Sequence, residues 1–348
     1  MRYRFLLFAA ASPLCLAAGA ASAETTISSS ISTPVATATA ANGARDDVKV
    51  AAGGVIKPTG VSSALILNSD NSVTVEGALT FQDASDATGL LIEGGRTGQV
   101  KILGAITLDE TADVKDTDSD GDNDGALATG KNRFGVRVAG AIPFNGSIDR
   151  TGGAISIEGV DSIGIAVEAG LTGALRSSGS ISVTGDRGYG IRTTGTVAGP
   201  LEVSGGVTVQ GKDAVALAVD ADVGRALWIT SSIAATGYRY TTRPAEAAVA
   251  KLDSDDLLIG GPAVRIGANV GAGVIIDGPP QDRDANDTDE DDDGQIDTAE
   301  PTASISSFGS AAALRVGAAS RDVRLGVVGA GDANAYGLMV KGSVQGAG

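Results

Sequence analysis

Between residues 154 and 237 apolar and polar positions alternate in short runs, and the runs return every 26 residues. Ile155, Ile181, Val207 and Ile233 form one column of the pattern, and Ile157, Val183, Val209 and Ala235 form a second. Gly159, Gly185, Gly211 and Gly237 follow in the same step. Further round the unit, Ile165, Ile191 and Leu217 repeat, as do Leu171, Val197 and Val223, and Leu175, Leu201 and Leu227. A period of two puts every second side chain on one face of a strand. Each unit holds three such runs, AISIEG, GIAVEAG and GLTGALRSSG in the first copy, separated by Gly or polar turns. Three short strands that return after a fixed step predict an all-β fold, a parallel β-helix (solenoid) with coils of about 26 residues. Each strand then hydrogen-bonds to its equivalent in the next coil, about 4.8 Å along the axis. The aliphatic columns face inward, and Gly takes the corners where φ is positive or the bend is tight.

The central strand of the unit recurs outside this block as GLLIEG (89–94), GVRVAG (135–140), AVRIGA (263–268), ALRVGA (313–318) and GLMVKG (337–342), with SALILN (63–68) as a weaker copy. The β-helix is therefore expected over 60–348, preceded by a low-complexity segment or cap at 24–59. Acidic loops at 109–130 and 279–302 interrupt it, and the register also breaks at 236–261, where a short helix is predicted over 245–251. The last residues, GSVQGA (342–347), align with GTVAGP (195–200), so the chain is expected to stop partway through a coil, as a fragment of a longer protein would. A leucine-rich repeat would carry one strand per unit, and a propeller blade is longer.

Composition adds the compartment. Arg2 and Arg4, an apolar run and Ala21-Ser22-Ala23 read as a secretory signal peptide over 1–23. Its apolar core is too short to span a membrane. Cys15, the sole Cys, lies inside it, so the exported chain can form no disulfide. The chain has no His, which excludes His-based triads and, without Cys, a zinc site. The formal net charge is −16. Residues 109–124 carry eight acids against Lys115, and 282–300 carry ten against Arg283, so these two segments account for all of it. The remaining body is almost neutral, and no nucleic-acid partner is expected.

A signal peptide followed by Gly-rich coils such as GDRGYGIRTTGTVAGPLEVSG, with no Cys in the exported chain, resembles the passenger region of bacterial autotransporters, the type V secretion system. The resemblance covers about 60–348. It implies a right-handed β-helix exported to the cell surface, acting as an adhesin or presenting a functional loop. The family's C-terminal outer-membrane β-barrel is absent from these residues, so a membrane is a partner only through a barrel lying downstream.

The stretch DEDDDGQIDTAE (289–300) follows the spacing of a calcium-binding EF-hand loop. Asp289, Asp291, Asp293 and Glu300 are the expected side-chain ligands, Gln295 gives its carbonyl, and Asp297 binds directly or through water. Gly294 allows the sharp turn. The stretch DTDSDGDND (116–124) shares the DxDxDGxxD core but has Leu127 at the twelfth position. Asp116, Asp118, Asp120, Asp122 and Asp124 then form a weaker, more hydrated site. The bland reading of each is a solvated acidic linker. At the calcium levels found outside cells even a weak site fills, and its expected role is to order a loop.

Catalysis by a β-helix requires carboxylates and bases gathered on one sheet face. The outward position of the central strand reads Arg137, Ala166, Arg192, Ala218, Arg265, Arg315 and Met339. Four Arg can line up for an acidic glycan, or merely solvate the sheet. Asp161, Arg187 and Asp213 share a turn position, which favours polar residues in any case. No catalytic residue is assigned. The expected function is a non-catalytic secreted or cell-surface passenger, an adhesin or rigid scaffold with calcium-stabilised loops, meeting glycans or proteins on a host or neighbouring cell. The alternative is a secreted carbohydrate-active β-helix, a polysaccharide lyase or hydrolase.

Overall fold

The computed structural model describes residues 24–111, 115–117, 119, 124–238, 245–280, 282–284, 286–290, 296–328 and 335–347. The expected signal peptide, 1–23, lies outside them. The chain forms three long parallel sheets of ten, ten and nine strands. Sheet A runs from Thr25–Ile27 to Leu338–Val340, sheet B from Ser30–Ile31 to Ser343–Ala347, and sheet C from Val35–Ala36 to Leu314–Val316. The chain visits A, B and C in rotation, and each strand pairs with its equivalents one coil before and after. This is a parallel β-helix. Ten strands at about 4.8 Å spacing make a stack of about 43 Å.

The inward ladders follow the sequence columns. Ile155, Ile181, Val207 and Ile233 are ladder partners in sheet B. The same ladder reaches back through Ile106, Leu79 and Ile56 to Ile31, and forward through Ile305 to Val344. From Ile56 to Ile305 these side chains are at most 1% exposed. Burial of each contributes about 1.5–3 kcal/mol, so the stack is held by a continuous aliphatic column rather than by cross-links. Ile165, Ile191 and Leu217 do the same for sheet C, and Leu175, Leu201 and Leu227 for sheet A.

Residues 24–59 join the stack. Val48–Val50 pairs with Thr25–Ile27, and Val55–Ile56 with Ser30–Ile31. Their Ser, Thr and Ala content hides the pattern, yet a parallel ladder is closed by backbone groups that every residue supplies. One strand moves. Leu338–Val340 pairs with Val274–Ile276 in sheet A, so Met339 extends the Ile275 position there and not the Arg315 position of sheet C. Strands such as Leu201–Val203 of A (LEV) and Leu314–Val316 of C (LRV) share one short apolar–charged–apolar pattern, and only the pairing register separates them.

The corner from A to B is tight. Leu103 and Gly104 both donate to the Val75 carbonyl (2.8 and 2.9 Å), as Ser204 and Gly205 do to Ser177 (2.9 and 3.0 Å). A Cβ at Gly77, Gly104, Gly153, Gly179 or Gly205 would lie 1.8–2.3 Å from a carbonyl oxygen of the coil before. Of these five only Gly153 has positive φ (68°), so close approach, rather than a left-handed backbone, demands Gly. Arg150 interrupts the inward face of sheet A between Ile102 and Ser177. Fully buried, it donates to the carbonyls of Gly153 (2.8 Å), Gly179 (2.5 Å) and Ser180 (2.5 Å) and to the Ser177 hydroxyl (3.0 Å). Burial lowers its pKa to about 10, which leaves it charged at neutral pH.

Insertions leave this frame, and three of them carry the acidic groups discussed below. Segments 110–133 and 237–263 both interrupt the B-to-C corner, and 277–303 lies between a strand of A and a strand of B. The second carries the helix Glu246–Val249.

Candidate functional site

The first insertion is pinned at its base. Arg133 is 1% exposed and pairs with Glu110 (3.4 Å), whose side chain is 6% exposed. Arg133 Nε donates to the Ala84 carbonyl (2.7 Å) and Nη1 to that of Glu158. Glu110 accepts from the Thr129 amide (2.6 Å), the Thr129 hydroxyl (3.2 Å) and the Gly130 amide (2.6 Å). Burial pushes the Glu110 carboxyl up, but these donors and Arg133 together hold it below its ordinary range. Both ends of the insertion are thereby tied to the rod.

Its far end meets the second insertion. The Gly125 amide donates to Asp255 (2.6 Å), and Lys251 to the Ser119 carbonyl. Asp124, Asp253 and Asp255 each offer a carboxylate oxygen, all within 4.8 Å of one another. The hydrogen bond and charge of Asp255 raise the Asp253 pKa. Spacing along the chain could not find this group, because Asp253 and Asp255 come from an insertion with no ligand pattern of its own.

Of the expected metal ligands, Asp118, Asp120, Asp122, Asp291, Asp293 and Gln295 lie outside the described residues. Asp116 accepts from the Ser119 amide (2.6 Å), and Asp124 from Thr117. Asp289, Asp297 and Glu300 do not form a three-carboxylate group of that closeness among the described residues. Asp297 instead meets Glu290, a residue the loop pattern does not assign as a ligand. Holding a proton toward the Glu290 carboxylate, then desolvation, pushes Asp297 up to about 6.

The outward face of sheet C carries the Arg ladder. Arg137, Ala166, Arg192, Ala218, Arg265 and Arg315 are successive ladder partners. The two Ala are at most 1% exposed although they occupy the outward position, each between Arg of the coils on either side. Arg137 bonds Glu168 (3.0 Å) and stands 4.4 Å from the Phe134 ring centroid. Arg192 and Arg265 share Asp220 (3.0 and 2.8 Å) and approach the Tyr189 ring at 4.5 and 5.6 Å. A cleft of about 400 Å³ opens beside them, lined by Asp161, Arg187, Tyr189, Arg192, Asp213 and Arg265 among others.

Family models, curated proteins and solved structures give no match to this chain. Function is therefore argued from the site itself.

The turn position shared by Asp161, Arg187 and Asp213 is left-handed in all three, with φ of 53°, 55° and 59°. Asp tolerates that region and Arg rarely does. Arg187 is repaid by two bonds to Asp161 (2.7 and 2.8 Å). That hydrogen bond, against some desolvation, holds the Asp161 carboxyl below its usual range, so it serves as an acceptor rather than an acid. The cleft thus offers guanidinium donors and carboxylate acceptors in fixed places, which is chemistry suited to holding hydroxyls and anions. Sheet A presents a different outward face, where Arg176 lies between Asp149 (3.0 Å) and Glu202 (2.9 Å) and is balanced by both.

Proposed function

We propose that this chain is an exported, non-catalytic β-helical passenger of the autotransporter type, a rigid adhesin or scaffold that binds acidic glycans along sheet C. The observation that carries it is the Arg ladder. Side chains at equivalent positions of stacked coils make a straight row along the rod, and a row fits an extended polymer better than a small substrate. The export signal and the absence of Cys after residue 23 support a location outside the cell. Binding of the purified chain to acidic and neutral polysaccharides tests this, with retention of the acidic ones alone as the expected result. Equal indifference to both removes the adhesin reading. The second reading, a polysaccharide lyase or hydrolase, draws on the cleft with Tyr189, Asp161 and Asp213. Release of reducing or unsaturated ends from an acidic polysaccharide would favour it.

Calcium ordering of the insertions belongs to the same proposal. Glu290 and Asp297 hold two carboxyl groups against each other, an arrangement that a hard cation relieves. Calcium at ten times its dissociation constant stabilises by about 1.4 kcal/mol. Millimolar calcium should raise the melting temperature and protect 277–303 from protease where sodium does not. Asp293→Asn should blunt both gains. A melt indifferent to calcium and EDTA, with no metal in the native mass spectrum, would reduce the segments to acidic linkers.

A further inference from the structure

We propose that the face of sheet C holds two matching stations, at Arg137 and at Arg192, for a polysaccharide whose acidic group recurs on every second sugar. The inference rests on sheet C being the binding face and adds the repeat of the polymer that this face reads.

The stations are copies of one constellation. Asn132, Phe134 and Arg137 return two coils later, at the same spacing, as Arg187, Tyr189 and Arg192. In both, the first residue is left-handed, with φ of 54° and 55°, and bonds an Asp of the coil before. Asn132 bonds Asp86 (2.7 Å), and Arg187 bonds Asp161 (2.7 Å). In both, the guanidinium stands over the aromatic ring, 4.4 and 4.5 Å from its centroid. Each pair has its own cleft, about 270 Å³ beside Phe134 and Arg137 and about 400 Å³ beside Tyr189 and Arg192. The coil between them carries Ile163 and Ala166 at these positions, 8% and 1% exposed, which leaves a short apolar step.

Each Arg is fixed on one side and open on the other. Arg137 gives its Nε to Glu168 (3.0 Å), and Arg192 gives its Nε to Asp220 (3.0 Å). Their terminal nitrogens make no hydrogen bond among the described residues, and the side chains are 36% and 34% exposed. A guanidinium already held by a ring and by its Nε loses little freedom when both Nη take a carboxylate or sulfate side by side. Arg265 differs. Its Nε and Nη2 both bond Asp220 (3.1 and 2.8 Å), and its coil has Pro262 where Tyr189 stands.

The repeat of the polymer follows from the spacing. Two coils separate the stations, about 9.6 Å, the length of two pyranose rings in an extended chain. An extended peptide turns the same face outward every two residues, about 6.6 Å, and falls out of step with the stations. Duplex nucleic acid carries one charge per about 1.7 Å, far denser than this face. Glu168 sets the alternation, because it stands in the coil between the stations, where a carboxylate on the middle sugar would meet it. The middle sugar is therefore neutral, and its ring lies over Ile163 and Ala166.

Calorimetry on the purified chain with hyaluronan, polygalacturonate, polyglutamate and uncharged dextran tests this. Hyaluronan, with a carboxylate on alternate sugars, should bind about tenfold tighter than polygalacturonate, which has one on every sugar. Salt should weaken that binding, and dextran and polyglutamate should not bind. Arg137→Ala and Arg192→Ala should each weaken hyaluronan about tenfold, and Arg176→Ala on sheet A should change nothing. Arg137→Lys and Arg192→Lys keep the charge without the fork and should lose less, which separates a binding role from a damaged rod. A hyaluronan tetrasaccharide spans both stations, so it should bind tighter than the disaccharide in the parent and lose that gain in Arg192→Ala. A preference for polygalacturonate that Arg137→Ala abolishes overturns the two-sugar repeat and leaves sheet C as the face. Parent-like binding by both Ala variants overturns the stations. Binding of polyglutamate alone, or of none of the polymers, overturns the glycan face as well.

Discussion

Gly104→Ala should destabilise the chain by about 3 kcal/mol, while Gly206→Ala is tolerated. The methyl added at position 104 has nowhere to go. It would stand 1.8 Å from the Gly77 carbonyl oxygen and 2.7 Å from the carbonyl of Glu76, both backbone atoms. Gly77 cannot swing aside freely, because its oxygen accepts from the Ala105 amide (3.1 Å), and Gly104 itself is held to Val75 (2.9 Å). The coil must open at the A-to-B corner, which loses part of two hydrogen bonds at about 1 kcal/mol each and adds the strain of overpacking. Gly206 sits one residue beyond the equivalent corner Gly205, and a methyl there meets only the Ser232 carbonyl at 3.9 Å. Urea unfolding of the two variants measures the contrast. In a solenoid each coil is stabilised by its neighbours, so the Gly104 variant should also unfold over a broader range. Equal midpoints for the two would refute the close-approach account of the corner.

Arg133→Ala should cost about 3–5 kcal/mol, because it leaves Glu110 as a buried charge without its cation and abandons the Ala84 and Glu158 carbonyls. The loss should first show as protease cleavage within 110–133, since the pair joins the two ends of that insertion. Adding Glu110→Gln to Arg133→Ala should return part of the loss, because the second change removes the orphaned charge. The same pair gives a pH dependence. The folded pKa of Glu110 lies below its ordinary 4.5, so the native state binds the proton less readily than the unfolded chain. Its contribution is complete above about pH 4.5 and disappears as the pH falls through the depressed folded value. Acid melts of the parent should show this slope, and Glu110→Gln should flatten it.

The β-helix itself was legible because its signal is redundant. Ile155, Ile181, Val207 and Ile233 repeat in the sequence at the step at which the backbone ladder pairs them. The outward Arg row was legible for the same reason, since equal position in the repeat means equal position on the face. What failed was the assignment of GLMVKG to sheet C, because two strand types share one local pattern and only Leu338↔Val274 pairing separates them. The contributions of residues 24–59 were hidden by small polar side chains that stack well and signal poorly.

The candidate sites divide in the same way. Local spacing picked out Asp289, Asp297 and Glu300 as ligands, but it could not see Glu290 set against Asp297, nor Asp253 and Asp255 brought to Asp124. Those meetings depend on where insertions fold back, and an insertion obeys no repeat. By itself the sequence determined the parallel stack, its inward columns and the row of Arg137, Arg192, Arg265 and Arg315, because periodic burial writes itself into periodic residues. Only the tertiary structure decided which carboxylates meet those Arg. Glu168, Asp220 and Asp222 reach their partners across coils, and pairing energy falls so steeply with distance that placement, not composition, sets the charge of the face.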